Sequence, residues 1–278
     1  MTLKRILLQA TNELKTAGCA TPRLDAEVLL MHVCNLSQSR LITCSDNKLS
    51  TEQISRYHKL IERRRKREPV AYILGEKEFW SLSFSVNSDV LIPRPETEHL
   101  IEATLANFSD KEGKFRFCDL GTGSGCIAIS LACEYPHALV TATDISSRAL
   151  KVARENAMRH GVLEKIHFRQ GDMLAVMKNG DECFDAILTN PPYVSIDEYL
   201  KLEEELYFEP RLALTDEEEG LKYLNTLLNQ APNWLKSGGI LIMESGVSGL
   251  PEAGAKWSTV EEIKDLAGLL RGGIFHRN

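Results

Sequence analysis

The stretch Phe184-Asp185-Ala186-Ile187-Leu188-Thr189-Asn190-Pro191-Pro192-Tyr193 begins as a buried strand and cannot remain one. Its apolar first half has the length and composition of a central parallel strand. The two prolines that follow donate no backbone hydrogen bond and fix φ, so the strand must end at Asn190. In an open α/β sheet, ligands bind outside the carboxyl ends of the strands. The break therefore places an amide side chain, a rigid turn and an aromatic ring at the rim of a candidate site.

The pattern around that stretch agrees with such a sheet. From Lys114 onward, short apolar runs at 115–120, 139–142, 166–169, 184–189 and 240–244 alternate with helical patterns at 126–132, 148–160 and 221–235. Repeated β-α-β units predict a mostly parallel, doubly wound α/β sheet with right-handed crossovers. The first 75 residues read differently. Leu3, Ile6, Leu7, Ala10 and Leu14 recur at helical spacing before a stop at Gly18. Thr21 and Pro22 open a second helix carrying Leu24, Val28, Leu29 and Met31, and Ser50 with Gln53 makes a capping box for a third. Glu68-Pro69 ends the last of these. Alternating β-formers over 79–92 predict a hairpin between two domains. The expected division is a helical domain at 1–75, a hairpin linker at 76–92 and an α/β domain at 93–278.

A net charge of −6 argues against an extended nucleic-acid-binding surface. The one basic run, Arg63-Arg64-Arg65-Lys66-Arg67, is expected as a solvated helix end or, failing that, a partner-facing patch. Seven scattered cysteines without a Cys-x-x-Cys pair read as reduced thiols, and no metal site is expected. The apolar segment after Lys4 and Arg5 is interrupted at Gln9, and no run reaches membrane-spanning length. A cytoplasmic protein without membrane association is expected.

The first strand of the α/β region runs into Asp119-Leu120-Gly121-Thr122-Gly123-Ser124-Gly125-Cys126 and then a helix. Glycines in such a turn let a ligand lie against bare backbone, beside the unpaired N–H groups of a helix start. Asp144, at the end of the second strand, suits both hydroxyls of a ribose or, alternatively, an N-cap. Gly171-Asp172-Met173 reads equally as an adenine-flanking segment or a loop. Spacing leaves nicotinamide dinucleotides and S-adenosylmethionine both open. The Asn190 rim favours the second, since it offers acceptors to a planar NH2 group and nothing to a hydride.

Further segments complete a recognisable set: Ala71-Tyr72-Ile73-Leu74-Gly75, Leu91-Ile92-Pro93-Arg94-Pro95-Glu96-Thr97-Glu98, Phe208-Glu209-Pro210 with Ala213-Leu214, and Lys264-Asp265-Leu266-Ala267-Gly268. With the glycine loop and Asn190-Pro191-Pro192-Tyr193, they make the chain resemble the bacterial release factor glutamine methyltransferases (the HemK or PrmC family) over nearly its whole length. The resemblance implies a seven-stranded, Rossmann-like class I methyltransferase fold behind a small helical domain. It implies S-adenosylmethionine held by Gly121, Thr122, Gly123, Ser124, Gly125, Asp144, Met173 and Asn190. It also implies a substrate glutamine, in the Gly-Gly-Gln loop of peptide release factors, held by Asn190, Pro191, Pro192 and Tyr193. Glu96 and Glu209 lie in matching segments, where each is either a ligand contact or a structural acid. Residues 245–256 depart from expectation, being short and rich in Gly and Pro where a crossover helix should stand.

The four-residue motif is shared with DNA and RNA base amino-N-methyltransferases, the alternative function. A cofactor-binding scaffold without turnover is a second alternative. The chain is expected to act as a monomer on release factors without binding nucleic acid directly.

Overall fold

Leu3, Ile6, Leu7, Ala10 and Leu14 form the buried stripe of helix α1 (Leu3–Thr16), capped by the Thr2 hydroxyl and ended at Gly18, whose φ is +78°. In the computed structural model, residues 1–178 and 183–278 are described, and they divide into two units: 1–76 with 203–208, and 77–202 with 209–278. The first unit continues with α2 (Pro22–Cys34), α3 (Gln38–Thr43), α4 (Thr51–Arg65) and α5 (Val70–Leu74). The capping box of α4 is formed, with Ser50 and Gln53 exchanging bonds of 3.0 and 3.1 Å. The α2 helix is apolar on much of its surface, so its pattern does not single out one face. Leu29 is buried as expected, but Leu24, expected beside it, is 53% exposed, and Ala26, Leu30 and Val33 complete the face toward the core.

The basic run corrects the sequence reading more sharply. Arg64 is 2% exposed. Its Nε meets Asp25 Oδ2 at 2.7 Å, its Nη2 meets Glu205 Oε1 at 2.7 Å, and its Nη1 donates to the Glu68 carbonyl at 3.1 Å. Thr21, expected to cap α2, donates its hydroxyl to the other oxygen of Asp25 at 2.7 Å. Arg63 pairs with Glu68, and Arg67 pairs with Glu205. Arg63, Arg65 and Lys66 are exposed and pair with Glu68 or Glu62 as a solvated helix end would, so the departure from expectation lies at Arg64 and the half-buried Arg67.

The hairpin of β1 (Glu76–Phe79) and β2 (Leu82–Ser85) begins at the last residue of the first unit and otherwise belongs to the second. Its turn is Trp80-Ser81, both at positive φ, and pairing stops at Ser85 rather than near residue 92. The helices of this unit are α6 (Glu98–Asn107), α7 (Cys126–Glu134), α8 (Ser147–Arg159), the single turns α9 (Ile196–Tyr199) and α10 (Arg211–Leu214), and α11 (Lys222–Gln230). Its strands are β3 (Arg116–Leu120), β4 (Leu139–Asp144), β5 (Ile166–Gln170), β6 (Phe184–Thr189), β7 (Leu235–Glu244), β8 (Trp257–Lys264) and β9 (Leu270–Arg277).

Among the described residues these seven strands form one sheet in the order β5-β4-β3-β6-β7-β9-β8. All neighbours are parallel except β9, which runs antiparallel to both β7 and β8. Alternate residues feed two layers: Phe117, Leu188 and Ile242 pack with α6 and α7, and Cys118, Ile187 and Leu241 pack with α11. The helix expected over 221–235 ends at Gln230, because Pro232 cannot donate to the ladder. No helix fills 245–256. The β8–β9 hairpin reaches the sheet edge by antiparallel pairing, which needs no crossover helix. Among the described residues no helix is long and apolar enough to cross a membrane.

Candidate active site

The turn after β3 is built on glycine, with φ at Gly121, Gly123 and Gly125 of +70°, +55° and +85°. A Cβ on Gly125 would lie 2.9 Å from Ile129 and 3.2 Å from Ala153, so the close approach of α7 and α8 requires glycine as much as the turn does. Behind the loop sits Asp119, fully buried, whose Oδ2 accepts from the Thr122 hydroxyl at 2.6 Å and the Ala128 amide at 3.1 Å. Its Oδ1 makes no hydrogen bond among the described residues. Burial raises this carboxyl to about 7, against the two hydrogen bonds that lower it.

Asp144 ends β4. Its Oδ2 accepts from the Gly123 amide at 2.9 Å and its Oδ1 from the Ser146 amide at 2.8 Å. Ser146, not Asp144, caps α8, with its hydroxyl accepting from Ala149 at 3.2 Å. Each Asp144 oxygen therefore keeps a lone pair for a ligand. Gly121, Gly123, Asp144, Met173, Asn190 and Pro192 all line one cavity of about 320 Å³. The structure does not bring every sequence-predicted residue there. Thr122 and Ser124 are buried behind the loop, and Pro191 is buried in the turn. Tyr193 lines a neighbouring cavity of about 590 Å³ together with Arg94, Glu96, Glu244 and Arg271.

Two residues that sequence reasoning gave no role connect the ends of the proline motif. The Asn190 Nδ2 donates to Thr97 Oγ1 at 3.0 Å, and the Thr97 hydroxyl donates to Glu244 Oε2 at 2.7 Å. The Tyr193 hydroxyl donates to Glu244 Oε1 at 2.8 Å. Glu244, 3% exposed, has its carboxyl raised by burial, while the bonds from Thr97 and Tyr193 lower it. Burial first, and then the charge of Glu244, push the Tyr193 phenol above its ordinary value. The available signal for Glu244 was an acid closing the apolar run 240–243 at the carboxyl edge of the sheet, next to the strand that ends in Asn190.

Glu209 resolves as a structural acid. Its Oε2 accepts from the Ile92 amide at 2.9 Å and its Oε1 pairs with Arg94 at 2.5 Å, pinning the segment that delivers Thr97. Glu96 lies at the rim, 3.8 Å from Arg271.

A glycine turn after the first strand of a seven-stranded sheet, an acid at the end of the next strand and a cavity reaching the broken fourth strand define a Rossmann-like methyltransferase. The Methyltransferase domain family model matches residues 111–273, and the PrmC N-terminal domain model matches residues 5–75. The chain is 40% identical to the release factor glutamine methyltransferase of Koribacter versatilis, over 98% of this chain and 97% of that one. It is 39% identical to that of Coxiella burnetii, over 100% and 99%. Among solved structures, the hMettl16 catalytic domain in complex with the MAT2A 3'UTR hairpin 6 matches with a TM-score of 0.55 at 14% identity, covering 82% of each chain. At that identity the likeness concerns the fold alone. The chain belongs to the release factor glutamine methyltransferase family.

Proposed function

We propose that this enzyme transfers the methyl group of S-adenosylmethionine to the side-chain amide nitrogen of the glutamine in the Gly-Gly-Gln loop of peptide chain release factors, in the cytoplasm. The observation that carries this reading is that Asn190 and Pro192 line the same cavity as Asp144 and the glycine loop, which brings carbonyl acceptors beside the donor pocket.

The donor fits the groups present. Asp144 keeps one lone pair on each oxygen for the two ribose hydroxyls, Gly121 and Gly123 offer bare backbone, and Met173 with Gly171 flanks the same space. A cavity of about 320 Å³ is within the range of small-cofactor sites. When bound, S-adenosylmethionine supplies a methyl group already made electrophilic by its sulfonium.

The chain's own task is orientation. An amide nitrogen is a poor nucleophile because its lone pair is delocalised into the carbonyl. The Asn190 side-chain carbonyl and a backbone carbonyl of Pro191 or Pro192 can each accept one N–H, turning the remaining lone-pair direction toward the donor. Tyr193, which lines the neighbouring cavity, is proposed as the stacking surface for the flat amide. Alignment of this kind can lower a barrier by roughly 7–11 kcal/mol in favourable cases. Docking of the release factor is assigned to the helical domain, residues 1–75, and the protein is assigned as a monomer.

Incubation with methyl-labelled S-adenosylmethionine and a purified release factor tests the reading. Label should enter the Gly-Gly-Gln peptide, and a release factor with that glutamine replaced by alanine should accept none. Label entering DNA or RNA instead would favour a base methyltransferase, and donor binding without transfer to anything would favour a scaffold.

A further inference from the structure

We infer that Thr97 and Glu244 act as a polarity relay that decides which end of the Asn190 amide faces the substrate; the inference rests on the acceptor role proposed for Asn190. A primary amide has two ends of nearly identical shape and opposite hydrogen-bonding sense. If Asn190 turned its NH2 outward, a donor would face the donor NH2 of the substrate, and the site would repel what it must hold. Shape cannot prevent this, so something must fix the polarity.

The described contacts do so by counting protons. Glu244 is buried and accepts at both oxygens, from Thr97 at 2.7 Å and from Tyr193 at 2.8 Å. A threonine hydroxyl carries a single proton. With that proton committed to Glu244, Thr97 has only lone pairs to offer Asn190, 3.0 Å away. Asn190 must therefore turn its NH2 toward Thr97, which leaves its carbonyl for the cavity it lines. The same carboxylate fixes Tyr193, so one buried acid sets both ends of the motif. Thr97 is itself 2% exposed and is held at the start of α6 by its amide, which bonds the Arg94 carbonyl at 3.1 Å; Arg94 in turn is anchored on Glu209. Thr97 and Glu244 are thus positioning residues acting through Asn190 and Tyr193.

The test replaces the hydroxyl and nothing else. Thr97→Val preserves shape and removes the relay, whereas Thr97→Ser preserves the relay. Thr97→Val should lower kcat for methyl transfer to a release factor about 100-fold, the scale set by loss of substrate orientation. The KM for the release factor and the calorimetric Kd for S-adenosylmethionine should stay within about threefold, since a positioning loss falls on kcat. Thr97→Ser should recover most of the rate, which a packing defect would not explain. Wild-type turnover by Thr97→Val overturns the relay while leaving the proposed function standing.

A second readout requires neither turnover nor a variant. With asparagine labelled with nitrogen-15 in the wild-type protein, the side-chain NH2 of Asn190 should show one proton protected from exchange by its bond to Thr97. Two freely exchanging protons overturn the relay whatever the enzyme methylates. Failure of the wild-type enzyme to label any release factor, with the protected proton present, overturns the proposed function and leaves the relay supported.

Discussion

Buried carboxylates are matched in two ways, by a cation, as at Asp25 in the helical unit and at Glu209 with Arg94, or by hydroxyls and amides alone, as beside the site. In the helical unit, Asp25 lies against the guanidinium of Arg64, which also holds Glu205, and charge meets charge. In the methyltransferase unit, Glu244 is held by two hydroxyls, and Asp119 by one hydroxyl and one backbone amide. A buried acid matched by a cation serves to fasten elements together. A buried acid matched only by hydroxyls orders those hydroxyls and, through them, whatever they touch. The difference teaches where to look for function: burial raises both Asp119 and Glu244, and both stand at strand ends that border the site.

The largest expected break in this comparison is Arg64→Leu. It strands Asp25 without its cation, and removing one partner of a buried pair costs about 3–5 kcal/mol. Urea unfolding should show that loss; a change under about 1 kcal/mol would mean that the pair is not the fastening proposed.

A smaller effect concerns pH. The folded Asp119 carboxyl, at about 7, lies above its ordinary value of 3.8, so the folded state holds the proton more tightly than the unfolded chain. Its contribution to stability is fully present below about pH 4 and is lost as pH rises through 7. Relative to Asp119→Asn, the wild type should therefore lose stability between those values, by at most roughly 4 kcal/mol. Parallel stability curves for the two proteins would show that Asp119 does not titrate in that window.

The smallest effect sharpens the contrast within a single run of sequence. Arg65 neighbours Arg64 yet pairs with Glu62 at 3.1 Å in solvent, with side chains about half exposed on both sides. Arg65→Ala should change stability by less than about 1 kcal/mol, as exposed pairs do. A loss comparable to that of Arg64→Leu would erase the distinction.

The same contrast marks what the sequence could reveal. The strand ending at Asn190 was legible because two prolines enforce a local rule, and the glycine loop because positive φ is a local demand. Asp144 was legible from its place after a strand. The fastening of Arg64 was not, since charge in a run reads as solvated and its partners Asp25 and Glu205 lie 39 and 141 positions away. Thr97 was hidden in a segment whose prolines and acids already explained it as a helix start. Its partner Glu244 stands 147 residues further on. The Trp80-Ser81 turn was hidden for a different reason: neither residue type favours the positive φ that the hairpin imposes. Local chemistry was readable, and pairing across the sheet was not.

In the proposed reaction Asn190 presents a carbonyl to the substrate amide beside the donor pocket. The most direct test of that role is Asn190→Ala, read as single-turnover methyl transfer to a release factor alongside calorimetric binding of S-adenosylmethionine. Donor binding should persist and transfer should fall by on the order of 100-fold or more, as loss of substrate orientation requires. Transfer at the wild-type rate would contradict that role.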